Sequence, residues 1–109
     1  GFGLAGHLAG LCRASGTGAR LWLDAVPLLP GAEALAAEGL RSSLAPENRS
    51  LLPDLPDTPK GALLTDPQTA GGLLAAVPDG PASLAALRTR DVQAVQIGEV
   101  TAEDRIDIR

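Results

Sequence analysis

A chain of 109 residues with a net charge of −4 makes one small domain over residues 1–109, and its sole cysteine rules out an internal disulfide or a multi-cysteine zinc site. The acidic balance, with one Phe, one Trp and no Tyr, argues against a nucleic-acid reader, which needs a basic face and stacking rings. Nothing resembles a signal peptide and no apolar run approaches the roughly 20 residues of a membrane span, so we expect a cytoplasmic protein with no nucleic-acid or membrane partner. The start at Gly1 rather than Met leads us to expect a piece of a longer protein.

Leu4, His7, Leu8, Leu11 and Cys12 recur at helical spacing, which predicts an amphipathic helix over residues 3–15, ended by Gly16 and Gly18. Ala19, Leu21 and Leu23 alternate with Arg20, Trp22 and Asp24, a strand pattern. Pro27 and Pro30 break the chain, and Gly31 to Glu38 reads as a short helix closed by Gly39. Residues 41–60 carry Pro46, Pro53, Pro56 and Pro59 and read as a long surface segment with one helical turn near Glu47 to Leu51. Leu73 to Val77 is a continuous apolar run, expected to be a strand covered on both faces. Gly80-Pro81 opens a helix to about Arg90 with Leu84 and Leu87 inward. Residues 93–100 form the next strand and 101–104 a turn. Ile106 and Ile108 alternate with Arg105, Asp107 and Arg109, as on a half-exposed edge strand. This order implies an α+β fold, a small mixed β-sheet packed with helices.

Two stretches are not explained by packing. Gly1, Gly3 and Gly6 crowd the start of the first helix, although glycine inside a helix costs about 1 kcal/mol relative to alanine. Asp66-Pro67-Gln68-Thr69-Ala70-Gly71-Gly72 is a turn that runs straight into the Leu73 segment. The turn at Gly71 is expected to need positive φ or a close approach, and its backbone amides suit a phosphate or an anionic product. The glycines also spell G-x-G-x-x-G, with Asp24 ending the following strand. A dinucleotide site needs a strand just before Gly1 and a run of βαβ units after it, and the element order is not such a run. His7 is expected on the packed side of its helix, as a hydrogen-bonded core or interface residue rather than an acid–base group. Cys12 belongs to the same stripe and reads as an inert buried thiol. Asp54 and Asp57 read as solvated loop charges. Glu99, Glu103, Asp104 and Asp107 read as a solvated acidic edge rather than a metal site.

Gly1-Phe2-Gly3-Leu4-Ala5-Gly6-His7-Leu8 and Asp66 to Leu74, with Leu23 to Ala32 and Ile97-Gly98-Glu99-Val100, resemble the C-terminal domain of the selenophosphate synthetase family. That family carries T-G-F-G-L-x-G-H-L and D-P-Q-T-S-G-G-L-L; Ala70 stands here for the usual serine, which puts one hydrogen bond in doubt. The resemblance covers nearly the whole chain in the right order. It implies the C-terminal domain fold shared with aminoimidazole ribonucleotide synthetase. It also implies an N-terminal ATP-binding domain as partner, Mg²⁺ and ATP as cofactors of the full-length enzyme, and a homodimer. On this resemblance Gly1, Phe2, Gly3, Asp66, Gln68, Thr69, Gly71 and Gly72 line the substrate and nucleotide cleft. The catalytic aspartates, the nucleophilic Cys or selenocysteine and the nearby Lys belong to the N-terminal domain, so none of these residues is catalytic or a metal ligand, and the only lysine, Lys60, matches nothing catalytic. Two alternatives stay open: another ATP-using superfamily member (hydrogenase maturation, thiamine-phosphate kinase or purine synthesis) and a non-catalytic docking module.

Overall fold

The computed structural model describes residues 1–68 and 70–109. Helix α1 spans Gly3–Ser15 and strand β1 Gly18–Leu21, followed by a single 3-10 turn at Leu23–Ala25. Helices α2 (Ala32–Ala37), α3 (Ala45–Ser50), α4 (Pro59–Leu63) and α5 (Gly80–Arg88) follow, then strands β2 (Gly98–Thr101) and β3 (Ile106–Ile108). The sheet order is β2-β1-β3, with β2 antiparallel and β3 parallel to the central strand. A small mixed sheet with helices is the α+β architecture expected from the sequence, and Ile106–Ile108 does lie at a sheet edge.

Helix α1 buries Ala5, Leu8, Ala9 and Cys12, an i, i+3, i+4, i+7 stripe, against Ala19 and Leu21 of β1. Leu52, Leu55, Leu64 and Val26 complete the core. The inward stripe is rotated from the one expected: its small members, Ala5 and Ala9, let the helix approach closely. His7 falls roughly 150° away, at 100° per residue, and is exposed. Its expected place on the packed side is therefore wrong.

The outward face of the sheet is charged. Arg20 stands in register with Glu99 on one side and Asp107 on the other. Its guanidinium pairs with the Glu99 carboxylate, and its Nε lies 3.6 Å from Asp107 Oδ2, an ion-pair contact too long for a hydrogen bond. Glu103 pairs with Arg105 at 2.8 Å, so three of the four acidic residues near the C-terminal end face arginines.

Other expectations fail for identifiable reasons. Residues 41–60 carry the helical turn expected near Glu47 to Leu51, as α3, but are not wholly a surface segment: α4 starts within them and their Leu52 and Leu55 are core residues. Thr58 caps α4 by accepting from the Gly61 amide at 3.1 Å, with Pro59 in the first turn, so prolines that look like breakers instead start helices. Residues 73–77 form no strand; Leu73 is fully exposed and only Leu74 packs on the core. An apolar run becomes a buried strand only if a ladder partner and two covering layers exist, and none meets this run among the described residues. The strand expected over residues 93–100 shortens to Gly98–Thr101. Helix α5 is capped by Asp79, which accepts from the Ala82 amide at 2.9 Å; Leu84 and Leu87 are half-buried.

Candidate functional site

The two unusual stretches meet. Helix α4 ends at Leu63, and the next two residues, Leu64 and Thr65, are each 2% exposed. The Thr65 hydroxyl donates to Ala62 O at 2.7 Å, and the Asp66 amide donates to Leu63 O at 3.1 Å, which closes the turn leading into Asp66-Pro67. Against this turn sits the start of α1. The Ala5 amide donates to Leu64 O at 2.9 Å, so a carbonyl two positions before the other stretch satisfies one of the unpaired donors of the first turn. Gly3 has φ +67°, and a Cβ there would collide with Leu64 O and lie 2.9 Å from the Thr65 carbonyl carbon. Only glycine combines that backbone with that approach. A Cβ on Gly1 would lie 2.8 Å from Pro67 Cβ.

A buried asparagine closes the junction. Asn48 of α3 is 3% exposed, and its Nδ2 donates to Gly1 O at 3.0 Å and to Thr65 O at 2.9 Å. Sequence reading missed it. No local pattern marks it as buried, since Leu44 four positions before it is exposed and both of its acceptors are distant in sequence.

The structure therefore brings Gly1 and Gly3 against Leu64, Thr65 and Pro67, the neighbours of Asp66 in the chain, while Phe2, Gln68, Gly71 and Gly72 stand at the margin. Phe2 is 59% exposed, its ring edge-to-face with His7 at 5.8 Å between centroids. Asp66 is half-buried, and Gln68, Gly71 and Gly72 are exposed. Neither Gly71 nor Gly72 has positive φ, and among the described residues a Cβ on Gly71 would meet only the flexible end of Gln68, so these neighbours do not require a glycine in that turn. Thr69 lies outside the described residues.

A hollow of about 430 Å³ lies beside the junction, between Phe2, His7, Gly10, Leu11 and Leu51. A larger cleft of about 670 Å³ opens elsewhere, between α1, Leu52–Asp54 and β3, and none of the motif residues lines it. Cys12 lies in its floor. Burial pushes the Cys12 thiol above its ordinary value, and the nearby Asp104 charge adds to this, so the thiol is a poor nucleophile.

The described residues do not fit Mg²⁺ or a triphosphate by themselves. No group of three or more His, Cys, Asp or Glu among them is placed to hold a metal ion. The Lys60 ammonium donates to Asp24 O at 3.0 Å rather than standing near Asp66. Asp24 lies in the 3-10 turn and β1 pairs antiparallel to β2, so no βαβ unit surrounds the glycines, which removes the dinucleotide reading.

The family described as "AIR synthase related protein, C-terminal domain" matches residues 1–109. The chain belongs to this family. The AIR synthase related C-terminal domain seen here is 41% identical over 110 residues to a protein named "Selenide, water dikinase" from Yersinia pestis, covering 95% of this chain and 31% of that protein. It is 43% identical over 106 residues to one of the same name from Shewanella sp. (strain ANA-3), covering 92% and 30%. With one from Cronobacter sakazakii it shares 47% identity over 81 residues, 71% of this chain and 23% of the relative. The chain thus spans less than a third of the length of these curated relatives. No helix among the described residues is long and apolar enough to cross a membrane.

Proposed function

We propose that this chain is the C-terminal domain of an ATP-dependent selenophosphate synthetase, which converts ATP, selenide and water to selenophosphate, AMP and phosphate. The observation that carries this reading is the junction itself: the two stretches that resemble the synthetase family are 58 positions apart in sequence, from Leu8 to Asp66, yet the first packs on Leu64 and Thr65, directly before the second, and on Pro67 within it. Relatives at 41–43% identity over more than nine-tenths of the chain support the same reading. Gly1, Phe2, Gly3, Asp66, Gln68, Thr69, Gly71 and Gly72 form the wall of the cleft that faces an N-terminal ATP-binding domain. ATP and Mg²⁺ are held by that domain: no group of carboxylates among the described residues is placed to hold a metal ion, and the single lysine, Lys60, is bonded to Asp24 O. The whole enzyme is cytoplasmic and works as a homodimer.

A domain exchange tests the assignment. Residues 1–109 replace the matching segment of the Yersinia pestis relative, and the chimera is expressed in bacteria that lack their own selenophosphate synthetase. Restored incorporation of selenium into protein is expected. A soluble, folded chimera that restores none would contradict the reading, and would favour a docking module or another ATP-using relative.

A further inference from the structure

Asn48 sits in the six-residue helix α3, and both hydrogen bonds of its amide nitrogen leave that helix. The acceptors are Gly1 O and Thr65 O, 47 and 17 positions away. Each acceptor borders one motif: Gly1 opens the glycine-rich stretch, and Thr65 directly precedes Asp66. A primary amide has two N–H donors on one nitrogen, so it can hold two carbonyls at once; a hydroxyl has a single donor and an aliphatic side chain none. At 3% exposure the side chain has little water to exchange with, and loss of its bond to Thr65 O, which is buried, leaves a desolvated carbonyl, while the bond to Gly1 O is part-buried.

We infer that Asn48 is a positioning residue for the reaction proposed above, on which this inference rests: it sets the separation of the two motif stretches and touches neither substrate nor nucleotide. Its effect reaches the cleft through the Gly1–Gly3 backbone on one side and Asp66-Pro67 on the other. A shift of about 1 Å between groups that orient a reacting phosphate costs on the order of a hundredfold in rate.

Asn48→Leu keeps the number and branching of the side-chain heavy atoms and removes both donors. The intact protein carrying it is compared with its parent well below either melting temperature. The expected result is a fall of at least about tenfold in kcat per folded molecule, with KM for ATP changed less than about threefold. Hydrogen–deuterium exchange should rise in peptides spanning residues 1–7 and 63–72 and stay unchanged in β1. A kcat per folded molecule that is retained, whatever the melting temperature, overturns the inference, and so does unchanged exchange in those two peptides. If the parent protein makes no selenophosphate, the functional reading has failed separately; exchange then decides the clamp, which stands if both peptides loosen and falls if they do not. If Asn48→Leu does not fold, Asn48→Asp takes its place. A carboxylate donates nothing at neutral pH and regains one donor when protonated, so its kcat relative to parent should climb as the pH drops towards about 5. A ratio independent of pH overturns the inference.

Discussion

The Ala5 amide donates to the Leu64 carbonyl at 2.9 Å, so the first turn of α1 is capped by a residue two positions before Asp66. Local sequence does not supply that cap: Phe2 precedes the helix and makes no side-chain bond to it. The helix start and the Asp66 turn therefore depend on each other, and Gly3 is the point where they come closest.

Gly3→Ala should destabilise the chain by about 2–5 kcal/mol. The left-handed backbone costs an L-residue about 1–2 kcal/mol, and overpacking against Leu64 and Thr65 costs about 1–3 kcal/mol more. A urea melt checks this. By contrast Gly71→Val should change the midpoint little, since Gly71 has an ordinary φ and an exposed position. Equal losses from both would show that the close approach at Gly3 is not limiting.

His7→Ala should cost about 1 kcal/mol or less, the worth of its edge-to-face contact with the Phe2 ring. Its side chain is exposed and fills no core space. A denaturant melt that lost several kcal/mol would return His7 to the core.

The Arg109 guanidinium, bonded to Oδ2 at 2.8 Å, holds the Asp107 carboxyl below the usual carboxylate range; Arg20 and Arg105 assist, and partial burial opposes. A depressed folded value means that this contribution is complete above the unfolded carboxyl value of about 3.9 and is lost as pH falls below it through the folded value. Arg109→Met should therefore flatten the loss of stability between about pH 5 and pH 2. Parallel curves for parent and variant would show that the pair contributes nothing.

Cys12 should react with iodoacetamide at pH 8 at least about tenfold more slowly in the folded chain than in urea, because burial and Asp104 both disfavour its thiolate. Being raised on folding, this value contributes stability that is complete below the unfolded thiol value and is lost as pH rises through the folded one. Comparable native and unfolded rates would place the thiol at the surface.

Much of this fold was legible. The 13-residue helix α1, the α2 helix before Gly39, the edge strand at Ile106–Ile108 and the buried Cys12 all follow from periodicity and breakers. The failures share a physical origin. Periodicity says which residues are apolar, not what covers them, so Leu73–Val77 looked like a buried strand and Leu52 and Leu55 like loop residues. Alanine carries too weak a signal to reveal that Ala5 and Ala9 mark the inward face, and this misplaced His7. At the site, the meeting of the two motifs could be expected only through family resemblance. The contact that joins them runs through Asn48, whose partners are 47 and 17 residues distant and invisible to local reading.

The most direct test of the account is phosphorus NMR of the intact protein with ATP, Mg²⁺ and selenide under reducing conditions. The expected spectrum shows selenophosphate, AMP and phosphate in equal amounts, all dependent on selenide, and no turnover by residues 1–109 alone. Accumulation of ADP, or ATP turnover that ignores selenide, would contradict it.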